Sequence, residues 1–406
     1  SKDIPNKNPT TEPPSADVAK KESTGDLAPK DCAPPISAME GPLEKLGKKA
    51  DKIIAKGFRK ITGKKKKRSA AEQFGKDKKG RKECSSAADG PIVAAPLYTK
   101  LVPVRGWDRY SGDSAGTASQ WLRWWRYLRL GKPVLMSWVN GMTLKIFPKN
   151  EVGRALFVSG IYDPNNLVIV DALLKKDDVF IDVGANMGYF SLLISQTLNE
   201  NGHIYALEPS KRDFDRLAEN IELNDLGDTI SHYRYAVTDA KGSAELQIAT
   251  EERNALNTLG SDFSVSGLEK ICTETVPTIS LDEFVAEEGI SKVNVIKLDV
   301  EGSELKALMG ARKTIQKHKP TIMLGLNVAA LKACGADIQK IESLLQELDY
   351  SMYKAVEDQG FALKKVVNIV DANSAVIFCL HKNVNPPPLP QPEKVGVLAR
   401  IANFFK

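Results

Sequence analysis

Four short segments of this chain place carboxylates and glycines at spacings that chemistry can use. The first reads Asp182-Val183-Gly184-Ala185-Asn186-Met187-Gly188 and follows a short apolar run. Glycines in such a turn let the backbone approach a ligand closely, and a helix starting behind them presents free N–H groups. A dinucleotide site would want a GxGxxG spacing with pyrophosphate seated on the helix start. No third glycine stands at that spacing here, and Asp182, two residues before Gly184, would repel pyrophosphate while suiting a cationic or amino-acid-bearing ligand. Taken alone, the glycines also fit a plain strand-to-helix turn. The second segment, Ala206-Leu207-Glu208-Pro209, sets a carboxylate 26 residues after Asp182, able to accept two hydrogen bonds from the vicinal hydroxyls of a ribose. The third, Ala236-Val237-Thr238-Asp239, offers Asp239 either to an adenine amino group or to solvent as a loop aspartate. The fourth, Lys297-Leu298-Asp299-Val300-Glu301-Gly302-Ser303-Glu304, carries Asp299 and Glu301. Carboxylates there can deprotonate a nucleophile or anchor a substrate amine or hydroxyl. Glu301 and Glu304 also suit the first turn of a helix, where the dipole favours acids. Histidines at ligand spacing are missing beside this segment, so no metal site is expected.

Regular elements must hold these segments together. Short apolar runs at Val179–Val183, His203–Leu207, Ile230–Ala236, Val293–Leu298 and Thr321–Leu326 read as strands. Met187–Gln196, Lys211–Leu223 and Glu304–Lys317 read as helices between them. Such alternation predicts an α/β fold, a doubly wound and mostly parallel sheet with helices on both faces. Two later runs, Tyr350–Val356 and Ser374–Leu380, extend one edge. In a sheet of this kind ligands bind in the crevice at the strand C-termini, and all four segments stand at predicted strand tips.

The flanks differ in character. Of 406 residues, 42% are hydrophobic and 27% charged, which excludes a wholly disordered, collagenous or multi-span membrane chain. The first 95 residues hold 22 Lys and Arg against 13 Asp and Glu, a net charge of +9, so −3 of the total +6 falls to the remainder. Residues 1–42 lack any apolar period and read as disordered. Leu43, Leu46, Ala50, Ile53, Ile54, Phe58 and Ile61 recur at helical steps among lysines, predicting a basic amphipathic helix over 43–62 that runs into the block Lys64–Arg68. Such a helix suits a packed solvated face, an anionic membrane surface or, with less specificity, nucleic acid. Trp121, Trp124, Trp125 and Trp138, with Arg123, Arg126 and Arg129, suit core packing or a substrate entrance. After Asn385 a proline-rich linker leads to an apolar stretch, Val395–Phe405. Five scattered cysteines form no CxxC pair, so reduced thiols are expected. No run of about 18 apolar residues and no apolar centre of a secretory signal occurs, which predicts an intracellular, cytoplasmic protein, in peripheral membrane contact if the basic arm docks.

Residues from about 150 to 383 resemble the FkbM family of S-adenosylmethionine-dependent methyltransferases. The resemblance rests on Gly160-Ile161-Tyr162-Asp163-Pro164, on DVGANMGYFSL and ALEPS, on Asn220 with Asn224, and on AVTDAKGSAEL and VIKLDVEGSELKALMGA. It implies a class I methyltransferase fold, Rossmann-like, with seven strands of which the last is antiparallel, and S-adenosylmethionine over the tips of the first two. By similarity Asp182, Gly184, Asn186 and Gly188 hold the methionine portion, Glu208 the ribose and Asp239 the adenine. The family usually has glutamate where this chain has Asp163, and another glutamate at the fifth strand tip, where Gly325 stands here. The expected reaction is methyl transfer to a hydroxyl of a glycan or small metabolite, with Glu301 as proton acceptor and Asp299 as anchor. A catalytically silent binding module and an RNA methyltransferase are the rival expectations. The expected organisation is a basic arm over 1–95, a lead-in over 96–165, the methyltransferase domain over 166–383 and a tail over 384–406.

Overall fold

The computed structural model describes residues 93–94, 125, 128–129, 133–138, 141–147, 149–159, 161–260, 270–357, 361–372, 376–384 and 386. The amphipathic helix expected over 43–62, the Lys64–Arg68 block, Trp121, Trp124, Arg123, Arg126 and the apolar tail lie outside these residues. No helix among the described residues is long and apolar enough to cross a membrane.

The chain opens with β1 (Val93–Ala94), β2 (Val134–Ser137) and β3 (Thr143–Ile146), which form a small sheet, followed by α1 (Glu151–Ser159) and α2 (Pro164–Leu173). Then come β4 (Val179–Val183), α3 (Tyr189–Ser195), β5 (His203–Leu207), α4 (Lys211–Glu222), β6 (Ile230–Tyr233), β7 (Ala236–Val237) and β8 (Gly242–Ala249). A 3₁₀ turn, Glu251–Leu256, precedes β9 (Lys270–Ile279), α5 (Leu281–Glu287), β10 (Val295–Leu298), α6 (Glu304–Met309), α7 (Arg312–His318) and β11 (Thr321–Gly325). The last elements are α8 (Val328–Ala333), α9 (Ile338–Glu347), β12 (Tyr350–Glu357), β13 (Phe361–Lys365) and β14 (Val376–His381).

The main sheet has the order β13-β12-β14-β11-β10-β4-β5-β6. Its centre is parallel, and on one side β14 lies antiparallel between β11 and β12, so that β12 runs in the direction of the centre again. The parallel sheet and antiparallel edge match the fold expected, but eight strands replace the seven, because β13 adds a hairpin partner to β12. Two other expectations need correction. The single strand anticipated over Ile230–Ala236 divides: β6 closes the main sheet, while β7 joins β9 and β8 in a second sheet. The helix anticipated over Glu304–Lys317 is two, α6 and α7.

Both faces of the sheet carry a core. On β4, Phe180 packs with Leu192, Leu217 and Phe378, whereas Ile181 and Val183 face the opposite cluster with Phe284, Leu308 and Ile341. Strand alternation therefore turns Asp182 toward the α3 face with Phe180. The lead-in sheet is fastened to α4 by two asparagines: Lys145 N donates to Asn220 Oδ1 at 2.8 Å and Thr143 N to Asn224 Oδ1 at 2.7 Å. Trp138 is buried against Tyr189, ring centroids 5.8 Å apart, so this tryptophan serves the core. Arg129 lies over the Trp125 ring at 5.8 Å. Among the described cysteines, Cys334 and Cys379 are free thiols, whereas Cys272 is disulfide-bonded, contrary to the reduced state expected of it.

Candidate active site

The chain leaves β4 toward β5 and β6, then returns on the other side as β10, so the strand order reverses between β4 and β10. A crevice must open where the connections diverge. Gly184 stands at its floor with φ +78°, and a Cβ there would lie 2.0 Å from the Asp299 carbonyl oxygen. Only glycine lets the two strand ends close this tightly. Two cavities meet over that floor. One, of about 520 Å³, is lined by Glu208, Tyr235, Val237, Leu246 and Asn254 among others. The second, of about 460 Å³, is lined by Tyr162, Tyr189, Phe190 and Lys297 among others. Gly184, Asn186, Ala255 and Asp299 line both.

Glu208, 5% exposed, closes the tip of β5. Its Oε2 accepts from Asn186 N at 2.9 Å and its Oε1 from Ser210 N at 3.0 Å. Each oxygen keeps acceptor capacity toward the cavity. Burial, and then the Asp213 carboxylate, push its pKa up to about 8, against the pull of those N–H groups and Lys297. Burial alone would also raise Asp213, but Arg212 and Arg216 beside it hold it below the usual range.

Four anticipated residues, Gly184, Asn186, Glu208 and Asp299, converge on the cavities. Four others stand elsewhere. Asp182 is fully buried and accepts from Lys297 Nζ at 2.9 Å and from Ser191 Oγ at 2.7 Å. The register of β4 on β10 places Lys297 opposite Asp182, and Lys297 donates also to the Gly184 carbonyl at 3.0 Å. Asp182 thus braces the floor through Lys297 instead of lining it. Gly188 has φ +91° and packs where a Cβ would meet Leu217 and Leu192, so it serves the start of α3. Asp239 is exposed beyond β7 and lines neither cavity, while Tyr235, Ala236 and Val237 do. Glu301 is 6% exposed, accepts from Asn327 Nδ2 at 2.9 Å, and lines neither cavity. Its neighbour Glu304 holds the turn after β10 by accepting from Gly302 N at 3.0 Å. Of the two carboxylates proposed for chemistry, only Asp299 borders both cavities.

Lys297, Tyr162, Tyr189 and Asn254 also line the cavities, though residue type and spacing assign none of them a site role. A lysine inside the apolar run of β10 was the one available signal for Lys297. Tyr189 OH donates to the Tyr162 carbonyl and accepts from Tyr162 N at 3.0 Å, and burial holds its phenol well above the ordinary range, as a donor. Breaking a buried ion pair from one side costs about 3–5 kcal/mol. Lys297→Met should therefore lower unfolding free energy by about that much. A loss below about 1 kcal/mol in denaturant titration would show that the pair does not brace the floor.

Residues 182–352 match the family model of the methyltransferase FkbM domain. The hexuronic acid methyltransferase AglP of Haloferax volcanii is 28% identical over 256 residues, 61% of this chain and 96% of that protein. The 2-O-methyltransferase NoeI of Sinorhizobium fredii is 25% identical over 182 residues, 40% of this chain and 71% of that protein. Among solved structures, the methyltransferase FkbM of Methylobacillus flagellatus KT aligns with TM-score 0.33 and 16% identity, over 51% of this chain and 44% of that one.

Proposed function

Because this chain carries a methyltransferase FkbM domain across residues 182–352, we propose that it transfers a methyl group from S-adenosylmethionine to a hydroxyl oxygen of a sugar or small metabolite. The observation that carries this reading is the meeting of two cavities over Gly184, Asn186 and Asp299. The first cavity suits a nucleoside. Glu208 offers its carboxylate to vicinal hydroxyls, and Tyr235, Val237 and Leu246 offer an apolar wall to a flat base. The buried Asn254 Oδ1, an acceptor with no partner, fits a ligand rich in hydroxyl and amino donors. When bound, S-adenosylmethionine supplies an electrophilic methyl group.

The chain's own residues supply position and a proton acceptor. The second cavity presents the rings of Tyr162, Tyr189 and Phe190, which suit the C–H face of a pyranose ring or another compact apolar surface. Asp299, on the shared border, is placed to take the acceptor hydroxyl proton. It replaces Glu301 in that role because Glu301 faces Asn327. Lys297 holds the Gly184 carbonyl, so the floor keeps its shape while ligands change. AglP carries the name of a hexuronic acid methyltransferase, and sugar acids and their glycosides head the acceptors to try.

The test is release of S-adenosylhomocysteine from S-adenosylmethionine by the purified chain, with hexuronic acids, neutral glycosides and RNA as separate acceptors. Acceptor-dependent release with a sugar fraction is expected. Release confined to RNA would move the substrate class. Failure to bind S-adenosylmethionine or S-adenosylhomocysteine by calorimetry would remove the reading altogether.

A further inference from the structure

The 3₁₀ turn Glu251–Leu256 carries one side chain that the fold leaves half satisfied. Asn254 is 1% exposed and lines the cavity that holds Glu208. Its Nδ2 donates to Asn186 Oδ1 at 3.2 Å and to Asp213 Oδ1 at 3.1 Å. Asn186 Oδ1 already accepts from Met187 N at 2.8 Å, and Asp213 accepts from Arg216 at 3.2 Å, so both partners are committed acceptors. Turning the amide over would set its oxygen against both of them. The orientation is thereby forced, and Asn254 Oδ1 is left buried without a donor. An unsatisfied buried acceptor costs the fold about 1–3 kcal/mol, and native proteins keep few of them without a reason.

The turn is built to hold that oxygen still. Arg216 of α4 grips Glu251 through two bonds of 2.9 Å, and its guanidinium lies 3.6 Å over the Phe147 ring. Asn257 Nδ2 adds a bond to Asp213 Oδ2 at 2.9 Å. Asn254 also stands next to the group that would take a ribose, since the Asn186 it bonds donates its backbone N–H to Glu208 Oε2.

Resting on the nucleoside reading of this cavity, we propose that Asn254 Oδ1 accepts a hydrogen bond from a ribose hydroxyl of S-adenosylmethionine, a second grip on the ribose beside that of Glu208. Glu208 holds the sugar from the tip of β5, and Asn254 holds it from the connection between β8 and β9. Ala255, the next residue, lines both cavities. Occupation of the nucleoside cavity then fixes the wall of the acceptor cavity, and the ribose becomes a positioning element for the acceptor.

The experiment is a cycle between protein and ligand, read by calorimetry on the full chain. S-adenosylhomocysteine and its 2′-deoxy and 3′-deoxy ribose analogues are titrated into wild type and Asn254→Ala. The substitution should weaken S-adenosylhomocysteine about three- to tenfold, the worth of one neutral hydrogen bond, and should leave one of the deoxy analogues unaffected. Equal affinity in both proteins, or an equal loss for all three ligands, overturns the assignment, the latter because a water or the wall itself then satisfies Asn254. If wild type binds none of the three, the methyltransferase reading fails instead. A variant that does not fold is replaced by amide hydrogen exchange in wild type. Saturating S-adenosylhomocysteine should protect residues 251–257 more than one deoxy analogue does, and equal protection by all three ligands overturns the proposal.

Discussion

Asp299→Asn is expected to lower turnover by about 10²–10⁴-fold, the usual worth of a positioned general base, while S-adenosylhomocysteine binds about as before. The amide keeps the shape of the side chain and loses its basicity. The amide keeps the side chain's contacts with both cavities and removes only the proton acceptor, so the loss should appear in kcat and not in affinity for the nucleoside. Glu301→Gln is the contrast. Its carboxylate accepts from Asn327, which caps α8, so the substitution should cost about a kilocalorie of stability through that hydrogen bond and spare the rate. Turnover and melting temperature of the two variants decide the matter. A Glu301→Gln protein that folds as well as wild type but turns over a hundredfold more slowly would return the proton-accepting role to Glu301.

Glu208 should show its role twice. Glu208→Ala removes a charged acceptor, worth about 1.5–3 kcal/mol, or roughly ten- to hundredfold in affinity for S-adenosylmethionine. The second sign is in pH. Burial and Asp213 raise Glu208 to about 8, so below that pH the empty site holds its proton and accepts hydroxyl donors less well. Ligand hydroxyls favour the carboxylate, so binding must release a proton below pH about 8. Affinity should therefore climb as pH rises toward 8, by at most about tenfold per pH unit, and level off above it. Calorimetry in buffers of different ionisation enthalpy reads the released proton directly. Glu208→Gln should abolish both the proton release and the slope. A wild-type affinity flat between pH 6 and 8 would show that the carboxylate does not face the ligand.

The parts legible in the sequence are those that local pattern decides. Apolar runs of five residues bounded by turn residues located β4 and β5 to the residue, and alternation with helices implied the parallel sheet. Glu208 and Asp299 were legible as residues lining the crevice because each follows the last apolar residue of its strand, and strand tips in a doubly wound sheet share one crevice. Where a segment served two sheets, pattern failed: nothing in Ile230–Ala236 says that β6 ends at Tyr233 and that the next residues pair with β9.

Residue type and spacing thus determined the fold class, the crevice and the acids at its rim. Which of those acids face the cavity was decided only by tertiary structure, because a side chain's direction depends on strand register and on what the opposite strand supplies. Asp182 is turned away from the ligand space by Lys297, its cross-strand neighbour 115 residues later in the chain. Glu301 is taken up by Asn327 across 26 residues. Asn254 enters the site from a turn whose sequence carries no catalytic signature, brought there by Arg216 gripping Glu251. A buried charge or amide must find its partner wherever the packed chain offers one, and that choice exists only once distant segments meet.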